Sequence, residues 1–151
     1  MSNDERFMNL ALAEAEKAFA LGESPVGAVM VCGEEIVCAD HNRRETALDP
    51  TAHAELLVLR EGARRLERWR LSGCTLYVTL EPCLMCAGAM VLARIDRLVY
   101  GATDPKAGAV ESLYRVLADE RLNHRVEATS GVLAEPCGAI LSRFFRERRS
   151  G

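Results

Sequence analysis

Thr75–Met90 reads TLYVTLEPCLMCAGAM. Its first six residues, Thr75 to Leu80, are β-branched, aromatic or leucine, the composition of a buried strand. Glu81-Pro82 breaks that strand. From Cys83 to Ala93 the residues are good helix formers, which predicts a helix with Pro82 at its first turn. A strand that runs through a sharp break into a helix is the repeating step of an α/β domain. The break also carries Cys83 and Cys86, three apart, so both sulfurs lie on one face of the helix tip. A helix N-terminus carries partial positive charge and favours the thiolate form of cysteine.

Upstream, Asp49-Pro50-Thr51-Ala52-His53-Ala54-Glu55 forms a turn followed by a helix start. Thr51 is the expected N-cap and the helix runs from Ala52 to about Leu66. Asn3 to Leu21 places Phe7, Leu10, Ala11, Ala15, Ala18 and Phe19 on one face and stops at Gly22, an amphipathic helix. Val26–Cys32 and Glu35–Ala39 are strands joined at Gly33-Glu34. Downstream, Arg97–Tyr100 reads as a strand, Thr103–Gly108 as a loop, Ser112–Ala118 as helical, Arg125–Thr129 as a strand and Pro136–Arg148 as the last helix. Strands alternating with helices predict a layered α/β domain with helices on both sheet faces.

His53 and Glu55 are two apart, so a regular helix would aim them in different directions. At a helix tip both still reach one point, the imidazole toward a metal and the carboxylate toward a water beside it. With Cys83 and Cys86 the chain offers H-x-E and P-C-x-x-C: three zinc ligands (His53, Cys83, Cys86) and one acid, Glu55, that is not a ligand. Three protein ligands leave a tetrahedral metal one open position, the mark of a catalytic site. Zinc lowers the pKa of a bound water from 15.7 toward ~7, and Glu55 is placed to move protons. A redox CxxC would leave His53 and Glu55 unexplained. A closed structural zinc would need a fourth ligand, and Cys74 and His41 carry no motif spacing for it.

At 151 residues the chain is long enough for one domain, 1–151, with a proper core. No apolar run approaches the ~20 residues that span a bilayer, and the first residues, MSNDE, are acidic where an export signal is basic. The expectation is a cytoplasmic protein with reduced thiols. Cys32, Cys38, Cys74 and Cys137 then read as small buried hydrophobes. Net charge is −3, yet from Arg121 onward there are six Arg against three Glu, four of the Arg being Arg143, Arg146, Arg148 and Arg149. A local basic patch can hold phosphates on an acidic chain; a solvated helix end explains the same charges.

H-x-E followed by P-C-x-x-C is the signature of zinc-dependent nucleobase deaminases. Beyond it, Pro25–Val29, Asn42-Arg43, Asp49–Glu55, Thr75–Met90, Tyr100–Asp104, Asn123–Val126 and Phe144–Arg146 resemble the tRNA-specific adenosine deaminases over nearly the whole length. The stretches around Glu111 and at 118–122 match that pattern less well. The resemblance implies a three-layer α/β/α domain of the cytidine-deaminase type, with a central mixed sheet of about five strands. It implies one zinc per subunit and deamination of adenosine to inosine at the wobble position of a tRNA anticodon, with arginine tRNA the expected partner. It also implies a homodimer, with the anticodon loop near the subunit interface and no membrane. Carried over residue by residue, His53, Cys83 and Cys86 hold zinc, and Glu55 shuttles protons. Asn42 bonds the flipped nucleoside, with Val26 and Ala54 in the substrate pocket. Asp104 touches a neighbouring sugar, Lys106 lies near phosphate, and Phe145 and the terminal Arg residues line the loop's path.

The outer residues have plainer readings. Asn42 makes a turn, Asp104-Pro105 starts a loop, Lys106 is a solvated cation, and one of Phe144 and Phe145 belongs to the core. A deaminase of small free bases or nucleosides, and a non-catalytic zinc module that binds RNA, are the competing functions.

Overall fold

The computed structural model describes residues 1–150. A five-stranded mixed sheet runs in the order β2-β1-β3-β4-β5, from β1 (Gly27–Cys32), β2 (Glu35–His41), β3 (Cys74–Leu80), β4 (Arg97–Ala102) and β5 (Glu127–Thr129). β1 is antiparallel to β2 and β3, while β3, β4 and β5 are mutually parallel. α1 (Asn3–Ala20) and α4 (Ala134–Ser150) cover one face; α2 (Ala54–Leu66) and α3 (Leu84–Ala93) lie on the other. This is the expected three-layer arrangement.

Alternation along the strands explains why both faces need helices. Ala28, Met30, Leu76, Val78, Leu98 and Tyr100 point into the core beneath α2 and α3. Their neighbours Val29, Val31, Tyr77 and Val99 point into a second core with Phe7, Met8 and Ala11 of α1 and Cys137 of α4. Successive strand side chains take opposite faces, so apolar residues at every position demand cover on both sides. α1 approaches so closely that a Cβ on Gly27 would overlap the Ala11 carbonyl.

Several boundaries differ from the sequence reading. β2 and β4 run two residues further, through His41 and Ala102. α4 starts two residues earlier and holds Pro136 in its first turn, where a missing N–H is harmless. Ser112–Ala118 is not a helix; only Val116–Ala118 makes a 3₁₀ turn. The amides of Val110, Glu111 and Ser112 are all taken by the Glu81 carboxylate. Leu113 and Val116 then donate back to Gly108 and Ala109, which closes a loop instead of a helical ladder.

Candidate active site

Two helix tips meet at the carboxyl end of β3. The sequence reading put Thr51 at the cap of α2, but His53 is the N-cap, in extended backbone. Asp49 Oδ1 takes both the Thr51 amide (2.9 Å) and hydroxyl (2.8 Å), so that side chain is spent on the turn. Pro82 likewise falls outside the helix it was expected to open: Cys83 is the N-cap of α3, also extended. Neither N-cap side chain accepts an amide, as Ser, Thr, Asp or Asn would. Both turn instead toward each other, and both helix dipoles present their positive ends to the same place.

His53 Nδ1 lies 3.6 Å from Cys83 Sγ and 3.5 Å from Cys86 Sγ. Zinc bonds of about 2.3 Å to sulfur and 2.0–2.1 Å to nitrogen give tetrahedral N···S edges of roughly 3.6 Å. The three donor atoms lie within 4.8 Å of one another, and among the described residues no fourth His, Cys, Asp or Glu joins them. Cys74 sits at the far end of β3. His41 Nδ1 is bonded to the Asn42 carbonyl at 2.9 Å. The set therefore fits zinc with one position left for water or substrate. Cys83 is already held as a thiolate, down to about 4, by hydrogen bonding from Cys86, with His53 adding to it. The same pairing, with burial, drives Cys86 the other way, and the hydrogen bond with Cys83 raises His53 against the opposing effect of burial.

Glu55, 4% exposed, sits one residue inside α2 with its carboxyl against Cys86. Burial pushes that carboxyl up to about 7, against the opposing pull of its own amide and His53. A carboxyl with a pKa near the working pH takes and gives protons with equal ease.

Above these groups opens a pocket of about 860 Å³. Val26, Asn42, His53, Ala54, Glu55, Cys83, Asp104, Lys106 and Phe145 all line it; of the expected metal donors Cys86 alone lies behind the wall. Asn42 does make a turn, its Oδ1 accepting the Arg44 amide at 3.0 Å, and that bond leaves Nδ2 free to serve a ligand. Asp104 Oδ1 accepts the amides of Lys106 (3.1 Å) and Ala107 (3.2 Å), so it both starts a loop and faces the pocket. Phe144 is core and Phe145 is half exposed at the rim. Arg148 and Arg149 border the opening, whereas Arg143 is turned away to Glu16.

The sequence reading missed three residues here. Arg44 lines the pocket. Glu23, fully buried, accepts the amides of Glu45 (3.0 Å) and Thr46 (2.6 Å) and so shapes the wall behind Asn42 and Arg44. Glu81, read only as a strand breaker, is 2% exposed and accepts amides from Asp104 (2.9 Å), Val110 (3.1 Å), Glu111 (2.8 Å) and Ser112 (2.9 Å), plus the Ser112 hydroxyl. Its one local signal is an acid between an apolar strand and Pro-Cys.

A family model described as MafB19-like deaminase matches residues 2–149. A tRNA-specific adenosine deaminase of Bacillus subtilis is 54% identical over 149 residues, covering 99% of this chain and 92% of its own. One from Haemophilus influenzae is 52% identical over 147 residues, covering 97% and 85%. A solved structure from work on A-to-I editing by tRNA:A34 deaminases at the wobble position superposes with a TM-score of 0.87 at 46% identity, covering 90% of this chain and 99% of that one.

Proposed function

The chain belongs to the tRNA-specific adenosine deaminases, and on that premise we propose that residues 1–151 act as one domain that hydrolyses adenosine 34 of a tRNA anticodon to inosine, releasing ammonia. The observation that carries this is the meeting of three metal donors and a buried acid at the floor of one broad, basic-rimmed pocket. At about 860 Å³ the pocket is near the upper end for a single small ligand; a flipped nucleoside with its neighbours uses that room.

His53, Cys83 and Cys86 would hold zinc, which when bound would supply the Lewis acidity that makes water a nucleophile near neutral pH. Glu55 would take one proton from the attacking water and pass it to the purine ring nitrogen as C6 is attacked, then take the proton of the new C6 hydroxyl and give it to the amine, which leaves as ammonia while C6 becomes the carbonyl. Asn42 Nδ2 offers a donor to the flipped nucleoside, and Val26 and Ala54 give the base an apolar wall. The Asp104 carboxylate accepts from a ribose 2′-hydroxyl, which distinguishes RNA from DNA. Lys106, Arg148 and Arg149 meet phosphates, and Phe145 offers a stacking face. An unpaired anticodon loop lowers the cost of extruding the base. An arginine tRNA with a wobble adenosine is the proposed substrate.

A homodimer accounts for the outer surface of α3, where Leu84 and Leu92, two turns apart on one face, are 55% and 71% exposed, with Leu113 and Tyr114 exposed nearby in sequence to the Glu81-pinned loop. No helix among the described residues is long and apolar enough to cross a membrane. A cytoplasmic setting suits thiolate ligands, which an oxidising compartment would pair off.

The test is incubation of the protein, and of Glu55→Ala, with an anticodon stem-loop bearing wobble adenosine, and separately with free adenosine, guanine and cytosine. Inosine in the stem-loop alone, lost in Glu55→Ala, is the expected result. Ammonia from a free base with an untouched stem-loop would assign the site to small substrates.

A further inference from the structure

The other end of β3 carries a second pair of cysteines. Cys32 closes β1 and Cys74 opens β3, and the antiparallel register sets them directly opposite each other. The Gly33 amide donates to the Gly73 carbonyl (3.5 Å) one step beyond them. In an antiparallel ladder that makes 33/73 the hydrogen-bonded pair and 32/74 the close, non-hydrogen-bonded one, with Cα atoms about 4.5 Å apart. Disulfides bridge Cα separations of roughly 4.4–6.8 Å, so this pair can be joined without moving backbone. Both cysteines are free thiols.

Their surroundings differ in a useful way. Cys32 is half-buried, while Cys74 has no exposed surface. Arg68 Nη2 donates to Cys32 Sγ at 3.7 Å, a cation beside the sulfur an oxidant meets first. Cys74 lies behind it, its thiol raised to about 12 by burial and by the hydrogen bond to Cys32. One accessible sulfur beside a guanidinium, with a second sulfur held against it, is the arrangement of an attacking and a resolving thiol.

We propose that Cys32 and Cys74 form a peroxide-responsive thiol pair that closes into an intramolecular disulfide. Cys32 sulfur attacks hydrogen peroxide and breaks the O–O bond, which leaves a sulfenic acid and one water. Cys74 sulfur then displaces that hydroxyl, its thiol proton leaving with it as a second water, and the S–S bond forms. Two thiols are oxidised and one peroxide is reduced. The bridge encloses β2, the Asn42 wall and all of α2, so it ties down the segment that bears His53 and Glu55. By shortening the free chain in the unfolded state it raises the thermal midpoint, by roughly 8–16 °C for a loop of this length. This inference stands on the sheet register and is independent of the substrate proposed above.

The test uses the full-length, zinc-loaded protein, so that Cys83 and Cys86 are occupied. It is treated with hydrogen peroxide, its free thiols are alkylated, and its peptides are mapped without reduction. The expected product links the Cys32 and Cys74 peptides, lacks the mass of two hydrogens, and has a raised midpoint that dithiothreitol reverses. Cys32→Ser, at the more exposed position, should show neither change. Cys74→Ala should accumulate the Cys32 sulfenic acid, captured by dimedone. Recovery of Cys32 as a sulfinic acid with Cys74 still alkylatable in the wild type, or a raised midpoint that persists in Cys32→Ser, would overturn the proposal.

Discussion

Glu55 at the floor of the pocket and Glu81 beneath its rim are equally buried, 4% and 2% exposed, and their carboxyls are driven in opposite directions. Burial raises Glu55 to about 7 because few groups oppose it. Burial would raise Glu81 too, but the amides of Glu111, Asp104 and Ser112 and the Ser112 hydroxyl overturn that and hold it at about 2. Desolvation penalises a charge; convergent N–H groups restore what water supplied. Glu55 is therefore free to exchange protons, and Glu81 is a permanent anion around which the 104–112 loop is wrapped. One residue type has the proton-shuttle role proposed for it in the first case and builds the wall in the second.

The widest separation between the two comes from replacing each by its amide. Glu55→Gln removes the proposed proton carrier and leaves His53, Cys83 and Cys86 in place. Turnover of a wobble-adenosine stem-loop should fall by about 10²–10⁴, with zinc content by elemental analysis unchanged and the thermal midpoint unchanged or higher. Loss of zinc along with activity would mean that Glu55 supports the metal rather than moving protons.

Glu81→Gln should do the reverse. An amide offers one acceptor oxygen and turns its NH₂ toward amides that need acceptors, so several buried N–H groups lose their partner. The expected cost is about 2–4 kcal/mol of stability, read by denaturant unfolding. KM for the stem-loop should rise as the Asp104–Lys106 segment loosens, while kcat falls far less than in Glu55→Gln. A kcat loss equal to that of Glu55→Gln would erase the distinction between wall and chemistry.

Gly108→Ala strikes the same carboxyl from the other side, since a Cβ there would overlap the Glu81 carboxyl group. Crowding of this kind costs about 1–3 kcal/mol. The double variant Gly108→Ala/Glu81→Gln should be less unstable than the two losses added, because both act on one contact. Additive losses would show that the glycine matters for some other reason.

The site's inner residues are legible in the sequence because metal chemistry restricts residue type and spacing together: His53, Glu55, Cys83 and Cys86 leave few alternatives. The sheet is legible because alternating strands with apolar residues on both faces demand two helical layers. Glu81 is not legible in this way. Its partners lie 23 to 31 positions downstream, and apart from the Ser112 hydroxyl they are backbone amides with no side-chain signature. The same kind of cause hides the absence of a Ser112–Ala118 helix: Glu81 takes the amides of Val110, Glu111 and Ser112, and those of Leu113 and Val116 turn back to Gly108 and Ala109. Thr51 misleads because the local cap preference is sound, but Asp49 captures its hydroxyl and the cap passes to His53.

Asp4 is a third setting for a carboxylate and gives the smallest expected effect. It is held neither by desolvation nor by amides but by a guanidinium: Arg97 Nη1 and Nη2 donate to its two oxygens at 3.0 and 2.7 Å, and the Tyr77 hydroxyl donates at 2.9 Å. Hydrogen bonding from Arg97 lowers the Asp4 pKa. A folded-state pKa below the unfolded value stabilises the protein above the unfolded pKa, about 3.9, and that stabilisation is lost as pH falls through the lower, folded value. The pair is a quarter exposed, so its contribution is about 1 kcal/mol. Wild type should exceed Asp4→Asn in unfolding free energy by about that amount at pH 7, and the gap should close as the pH is taken below 3.9. A gap that stays constant through that range would mean that Asp4 acts by the geometry of its contacts rather than by charge, and that a guanidinium does not hold a carboxylate as the convergent amides around Glu81 do.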